Sequence, residues 1–331
     1  MDRHCGAGRS YTVADRVIMT YVLSNEQATY CIKRIRGAIQ TYFRENQLTY
    51  AIFGKSEGLD SSVIAGLLSD LEGVKPIGVL MPCESDPKVE RIARVVLDHF
   101  RIPWIKVDLT PEYHALMTRY YSAGSVQDQA IKIARDHGDD YLLKRMTQCK
   151  ARAAGNIRVR LRMITLYHIA QLTGGLVVST DNLSEFWMGF WTLNGDVGDF
   201  SPIQYVWKDL EEYVIAELLG VPEESLKAVP TDGLDVIPGG TDEDQLGLPY
   251  HELDRVIVRL LQNKLDGTRR WTQAELDPLI DDIAGETGLA RDKVAHVAHQ
   301  LAATHYKRHW PRVVTREEAG LTRIDDLNVI S

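Results

Sequence analysis

Cysteine is scarce and unpaired. The 331-residue chain has 4 cysteines (Cys5, Cys31, Cys83 and Cys149) and no Cys-x-x-Cys. That excludes a disulfide framework and the usual zinc or iron–sulfur spacings, and it suits reduced thiols in a cytoplasmic enzyme. The 10 histidines are scattered, and none forms a His-x-x-x-His pair worth a metal proposal. No stretch reaches the roughly 18 apolar residues of a membrane span, and the first residues hold no apolar run of signal-peptide kind. Neither a membrane nor export is therefore expected. Positive charge is not in excess either: the net charge is −8 and the pI about 5.7, which argues against a broad nucleic-acid-binding face. There is no internal repeat. With 44% apolar residues, the chain can bury the core of one large domain, with or without an appendage.

Two common phosphate signatures are also missing. A Walker A loop would need glycine at position 49, where Thr49 stands, so Gly54-Lys55-Ser56 is an accidental match. No Gly-x-Gly-x-x-Gly follows a strand, which excludes the dinucleotide fingerprint. What is present is the apolar run Tyr50-Ala51-Ile52-Phe53, then Gly54 to Gly58, then the helical stripe Val63, Ile64, Leu67, Leu68 and Leu71. A strand, a glycine-bearing turn and a helix N-terminus form an anion cradle, because first-turn N–H groups lack intrahelical partners and the helix dipole is positive there. Ser61 and Ser62 add hydroxyls. The segment Ser56-Glu57-Gly58-Leu59-Asp60-Ser61-Ser62 resembles the pyrophosphate loop of the N-type ATP pyrophosphatases, Ser-Gly-Gly-apolar-Asp-Ser-Ser/Ala.

The rest of the chain alternates in the same way. Ile32, Ile35, Ile39, Tyr42 and Phe43 give a helix before the first strand. Pro76–Met81, Trp104–Asp108 and Gly175–Thr180 read as further strands, and Val89–Phe100 and about 126–172 as helices. Thr110-Pro111-Glu112 reads as a cap followed by proline. This order predicts an α/β fold, a Rossmann-like parallel sheet with helices on both faces. Ligands then sit beyond the carboxyl ends of the strands, which brings together Ser56, the 81–86 loop and 180–202. Residues 230–248 read as a loop long enough to be a lid. Helices are expected near 250–263, 272–286 and 290–307.

Further motifs follow in order. Gly155-Asn156 reads as a helix start with Arg158, Arg160 and Arg162, of which Arg158 and Arg162 share a face. Next come Thr180 with Glu185, Gly195-Asp196-Val197-Gly198-Asp199, Pro202 with Lys208, Pro230-Thr231-Asp232-Gly233-Leu234, Asp242-Glu243-Asp244-Gln245-Leu246-Gly247 and Tyr306-Lys307-Arg308. Together with the loop they resemble the ammonia-dependent NAD synthetases over roughly 25–312. The resemblance implies an adenine nucleotide alpha hydrolase-like domain at 25–311, with an N-terminal extension at 1–24 and a tail at 312–331. It also implies an ATP-dependent carbon–nitrogen ligase. ATP adenylates the carboxylate of deamido-NAD, pyrophosphate leaves, and ammonia attacks the mixed anhydride. The implied partners are ATP, Mg²⁺, ammonia (free or from a separate glutaminase), a carboxylate substrate and a second copy in a homodimer.

The same resemblance implies residue roles. ATP and pyrophosphate fall to Gly54, Ser56, Glu57, Gly58, Asp60, Ser61, Ser62, Leu80, Thr180, Lys208 and Thr231. Asp60, Glu185 and Thr231 are the Mg²⁺ ligands, and Asp60, Lys208 and Asp196 the catalytic set. Arg160, Arg162, Tyr167, Asp196, Asp199 and Lys307 face the acid substrate. A closed crevice would keep water from the acyl adenylate. Trp187, Phe190 and Trp191 are either core or a stacking wall, and Cys83 reads as a structural thiol.

Three departures from the family pattern stand out. Glu57 replaces a loop glycine, and a carboxylate about 4 Å from a phosphate oxygen would cost about 4 kcal/mol at an effective dielectric of 20. Leu80 stands where the family carries an ATP-contacting arginine. The Gly-Asp-Gly-Gly-Ala-Asp loop is shortened to 195–199. Three functions are therefore carried forward: NAD synthesis, the same chemistry on another carboxylic acid, and nucleotide binding without turnover. The retained Asp60, Ser61, Glu185, Lys208 and Thr231 argue against the third.

Overall fold

The computed structural model describes residues 23–231, 240–266, 271–309, 311, 313–314 and 318–319. Asp232, Gly233 and Leu234 of the expected lid lie outside the described residues, as do most of the extension and the tail. Short apolar runs form four parallel strands: β1 (Tyr50–Gly54), β2 (Lys75–Leu80), β3 (Trp104–Lys106) and β4 (Leu176–Val177), ordered β3-β2-β1-β4. Ile52 pairs with Ile77 on one side and Val177 on the other, and a parallel bridge from Val178 to Phe200 prolongs the edge.

Alternation along β1 sends side chains to two cores. Ala51 and Phe53 join the core shared with α1 (Asn25–Glu45), α2 (Leu59–Leu68), α3 (Pro87–His99) and later Ile215. Ile52 joins Val79 and Val177 against α4 (Thr110–Tyr121) and Met163, Leu166 and Ile169 of the long α6 (Asp140–Thr173), which follows α5 (Val126–Asp136). Helices thus cover both faces, as the α/β pattern predicts. After α7 (Leu183–Met188), α8 (Tyr213–Leu219), α9 (Glu223–Leu226) and α10 (Asp242–Leu246), the helices α11 (Tyr250–Gln262), α12 (Gln273–Thr287) and α13 (Arg291–Ala303) pack a third core that reaches back to Met188. A last turn, α14 (His305–Arg308), follows.

Three local expectations change. α6 runs Asp140–Thr173, so Gly155 is buried inside a helix instead of opening one. A single interior glycine costs only about 1 kcal/mol, which packing easily overrides. α4 is preceded by Leu109, and the Asp108 carboxylate accepts the Thr110 N–H at 3.0 Å, so the cap comes two residues before Thr110. The 230–248 stretch contains α10, set by a capping box between Thr241 and Asp244.

Gly175 feeds β4 past the start of β1. A Cβ there would lie 2.5 Å from the Tyr50 carbonyl oxygen and 2.9 Å from Tyr50 Cβ. Because the obstacle is backbone, Gly175→Ala is expected to lower stability by about 1–3 kcal/mol. Urea unfolding measures it, and an unchanged midpoint would refute the close approach.

Candidate active site

The strand order reverses between β1 and β4, since β2 and β3 lie to one side of β1 and β4 to the other. A crevice opens at such a switch point, and here it is a cavity of about 400 Å³ lined by both strand ends. On the β1 side the chain turns through Lys55–Gly58 into α2, whose N-cap Gly58 offers no side-chain cap. The first-turn N–H groups of a largely buried helix therefore depend on an outside acceptor. The turn is tied internally: the Gly58 N–H donates to Ser56 Oγ at 3.1 Å, and Ser56 Oγ lies 3.2 Å from Ser61 Oγ. The Ser62 hydroxyl donates to the Gly58 carbonyl at 2.8 Å.

Asp60, in the first turn of α2, meets the β4 side. It accepts from Asn182 Nδ2 at 2.8 Å and from Lys208 Nζ at 2.5 Å. Asn182 is held by its own capping box with Glu185 on α7. Lys208 opens a single π-helical turn, Lys208–Glu212, and its N–H donates to Ser184 Oγ at 3.1 Å. Asp254 on α11 holds that turn, accepting from Ser184 Oγ at 2.5 Å and from the Asp209 N–H at 3.0 Å. Burial raises Asp254 to about 7, partly opposed by these hydrogen bonds. The third core thereby positions Lys208.

The electrostatics follow from burial. Burial alone would raise Asp60, but the Lys208 charge and the bonds from Lys208 and Asn182 hold it below its ordinary value. Burial and the Asp60 charge push Glu212 well up, 3.6 Å from Lys208. Glu185 is raised by burial and Asp60, and Asp181 by burial and Asp196. Lys208 is raised despite burial, because Asp60, Glu212 and Glu185 surround it. Carboxylates that are costly to ionise together on one wall are the setting a divalent cation relieves. Among the described residues no three His, Cys, Asp or Glu side chains form a metal site by themselves. Mg²⁺ is compatible with that, since it binds one or two carboxylates and takes its other ligands from phosphates and water.

Of the residues expected from sequence, Gly54, Ser56, Glu57, Gly58, Asp60, Ser61, Leu80, Thr180, Glu185, Lys208, Thr231, Arg162 and Asp196 line the cavity. Ser62, Arg160, Tyr167, Asp199 and Lys307 do not. Ser62 lies buried behind the turn, 2.6 Å from Ser225 Oγ. Arg160, rotated about 200° around α6 from both Arg158 and Arg162, donates to the Leu193 carbonyl at 3.2 Å. Tyr167 donates to Asp199 at 2.9 Å, and Asp199 also accepts the Val177 N–H at 2.9 Å. Lys307 donates to the Gly189 and Trp191 carbonyls. Lys307 and Arg308 lie over the Trp191 and Trp187 rings, so of the three aromatics only Phe190 lines the cavity. Cys83 also lines it, its thiol pushed up by burial against the opposing pull of Arg162 and Arg158.

Sequence reasoning gave no role to three residues: Lys55, Asn182 and Glu212. Lys55 carries a signal, a lysine inside a phosphate turn, that the failed Walker A spacing hides. Asn182 and Glu212 carried none, because their relation to Asp60 exists only across the fold.

Relatives share this architecture. The chain is 37% identical over 209 residues to the NH(3)-dependent NAD(+) synthetase of Finegoldia magna, covering 63% of this chain and 75% of the relative. It is 28% identical over 272 residues to that of Pyrococcus furiosus, covering 82% and 90%. Among solved structures, an NH3-dependent NAD synthetase from Campylobacter jejuni in complex with the nitrate ion superposes with a TM-score of 0.61 at 19% identity, covering 87% of this chain and 99% of that one. An NMN synthetase from Francisella tularensis superposes at 0.60 with 20% identity, covering 85% and 95%. Both structures establish likeness of fold. Residues 31–311 match the family model described as NAD synthase, and the chain belongs to the NAD synthase family.

Proposed function

We propose that this chain uses ATP to join ammonia to the carboxylate of deamido-NAD, releasing NAD, AMP and pyrophosphate. The observation that carries it is the meeting of Asp60 and Lys208 with Thr180 and Glu185 around one cavity at the switch point. A substrate carboxylate oxygen attacks the α-phosphorus, and the bond from that phosphorus to the bridging oxygen of pyrophosphate breaks. Ammonia then attacks the acyl carbon, the acyl–oxygen bond breaks and AMP leaves. The α2 N-terminus with Ser56, Gly58 and Ser61 takes the departing pyrophosphate, whose charge is stabilised by fixed donors. Lys208 neutralises a phosphate, and Arg162 and Asp196 orient the acid. Asp60 and Glu185, with Thr231, would hold Mg²⁺, which when bound supplies charge neutralisation at the phosphates.

The unit that does this is residues 25–311. On α6, Ile164 and Leu172 are 68% and 73% exposed, which supports a homodimer that covers them. Among the described residues no helix is long and apolar enough to cross a membrane, and the protein works in the cytoplasm on free ammonia or on ammonia from a separate glutaminase. The shortened 195–199 loop favours one second reading, the same chemistry on a different carboxylic acid. Incubation with ATP, Mg²⁺, ammonium and deamido-NAD should give NAD and AMP in equal amounts, read by chromatography. AMP with other aromatic acids but not with deamido-NAD would select the second reading. No AMP with any acid, from folded protein, would reject both.

A further inference from the structure

Lys55 is only 5% exposed, yet it lines the phosphate cavity. Its ammonium donates to Ser61 Oγ at 3.0 Å, to Ser62 Oγ at 2.8 Å and to the Ser56 carbonyl. All three acceptors are neutral. Among the described residues no carboxylate lies within ion-pair distance of it. A buried cation without a counter-ion is costly and persists where an anion is to arrive. Lysine has three donors and no acceptor, so each serine hydroxyl that accepts from it must send its own proton elsewhere. Ser62 has the Gly58 carbonyl at 2.8 Å as its acceptor. The Ser61 hydroxyl, which lines the cavity, has only longer contacts, 3.2 Å to the Gly58 carbonyl, 3.2 Å to Ser56 Oγ and 3.4 Å to the Ser56 carbonyl. It is thereby primed to donate into the cavity.

Glu57, two residues on, is the acid that the sequence made suspect. Its carboxylate accepts the Thr231 hydroxyl at 3.1 Å, and its carbonyl accepts Ser225 Oγ at 2.8 Å. Ser225 Oγ also lies 2.6 Å from Ser62 Oγ. When Ser62 turns its one proton from the Gly58 carbonyl to Ser225, a chain of hydrogen bonds runs from Lys55 through Ser62 and Ser225 to the Glu57 backbone, and the Glu57 side chain is taken up by Thr231. We propose that Lys55 and Glu57 are a compensating pair, in which Lys55 is a positioning residue for the pyrophosphate of ATP. Its charge offsets that of Glu57 at longer range, without an ion pair, and it aims the Ser61 hydroxyl, while Glu57 ties the loop to the 225–231 segment. Burial lowers Lys55 to about 7, with Glu57 and Asp60 opposing the fall, so the ammonium is poorly compensated until phosphate binds.

This inference rests on the loop being the pyrophosphate site, and calorimetry separates the two. The native protein, Lys55→Met, Glu57→Gly and the double variant are titrated with ATP, inorganic pyrophosphate and AMP. Lys55→Met is expected to weaken ATP and pyrophosphate at least 10-fold and AMP less than 2-fold, with no fall in melting temperature, because an apolar side chain replaces a buried charge. Adding Glu57→Gly should recover most of the loss. Unchanged ATP and pyrophosphate affinity in Lys55→Met overturns the proposal. So does equal loss of all three ligands with a lowered melting temperature, which would mark Lys55 as merely structural. A double variant no better than Lys55→Met overturns the compensation. Native protein that binds neither ATP nor pyrophosphate would sink the loop's assignment as well.

Discussion

Lys208→Met is expected to lower folding stability by about 3–5 kcal/mol and to remove AMP formation, with a loss of about 10³-fold or more. Lys208 is buried against Asp60 at 2.5 Å and Glu212 at 3.6 Å, and its charge also acts on Glu185. Methionine fills the volume but leaves these acids without their cation. Breaking a buried pair from one side costs about 3–5 kcal/mol because the orphaned charge stays buried. The acids answer by taking protons. Glu212 and Glu185 already stand above the ordinary carboxylate range, raised first by burial and then by Asp60. Without Lys208, Asp60 loses the main influence that holds it down. A further 10³-fold in rate corresponds to about 4 kcal/mol of lost transition-state stabilisation, a reasonable loss for one preorganised cation at a developing phosphate charge. Thermal unfolding and AMP release test the two halves separately. Full stability in the variant would show that the acids are already neutral in the native protein. Full activity would remove Lys208 from the proposed chemistry.

How much of this was open to inspection in the sequence depends on distance along the chain. The phosphate turn is local: strand, turn residues and helix start lie within Tyr50–Leu68, so pattern and turn chemistry located it. Lys208 and Glu185 came from motif order, which substitutes for the missing spatial information. Asn182 shows the limit. It looks like an ordinary helix cap, and it is one, but its amide also reaches Asp60 across 122 residues. Glu212 became a neighbour of Asp60 and Lys208 because the chain winds there as a single π-helical turn, a local widening that periodicity at 3.6 residues does not reveal. The misplaced start at Gly155 has the opposite cause. Glycine reads as punctuation in the sequence, whereas Val159 and Met163 beyond it pack on the core and carry the helix through it. Glu57 illustrates a third case, in which sequence identified the conflict correctly and only the fold supplied its resolution, the Thr231 hydroxyl.

Asp60→Asn should leave the protein folded but reduce AMP formation by about 10³-fold at saturating ATP. Asparagine matches aspartate in shape, so packing around α2 is preserved. Asn182 Nδ2 and Lys208 Nζ donate to different oxygens of the carboxylate, so the NH2 that replaces one oxygen sets a donor against a donor. The variant also removes the most readily ionised acid on this wall. Against the effect of burial, its pKa is held below the ordinary value by the Lys208 charge and the hydrogen bonds from Lys208 and Asn182, while those of Asp181 and Glu185 are raised. Asp60 is therefore the carboxylate that stays charged for a cation when its neighbours do not. In the native protein this lowered pKa contributes stability above the usual aspartate range, and that stability is lost as pH falls through the folded value. The acid limb of the unfolding profile should flatten in Asp60→Asn. If Mg²⁺ binds at Asp60, the native melting temperature should rise with added Mg²⁺ and ATP, and the variant should respond less. A variant that retains both turnover and the Mg²⁺-dependent rise would place the cation on Glu185 and Asp181 instead, and would leave Asp60 as the residue that orients Lys208.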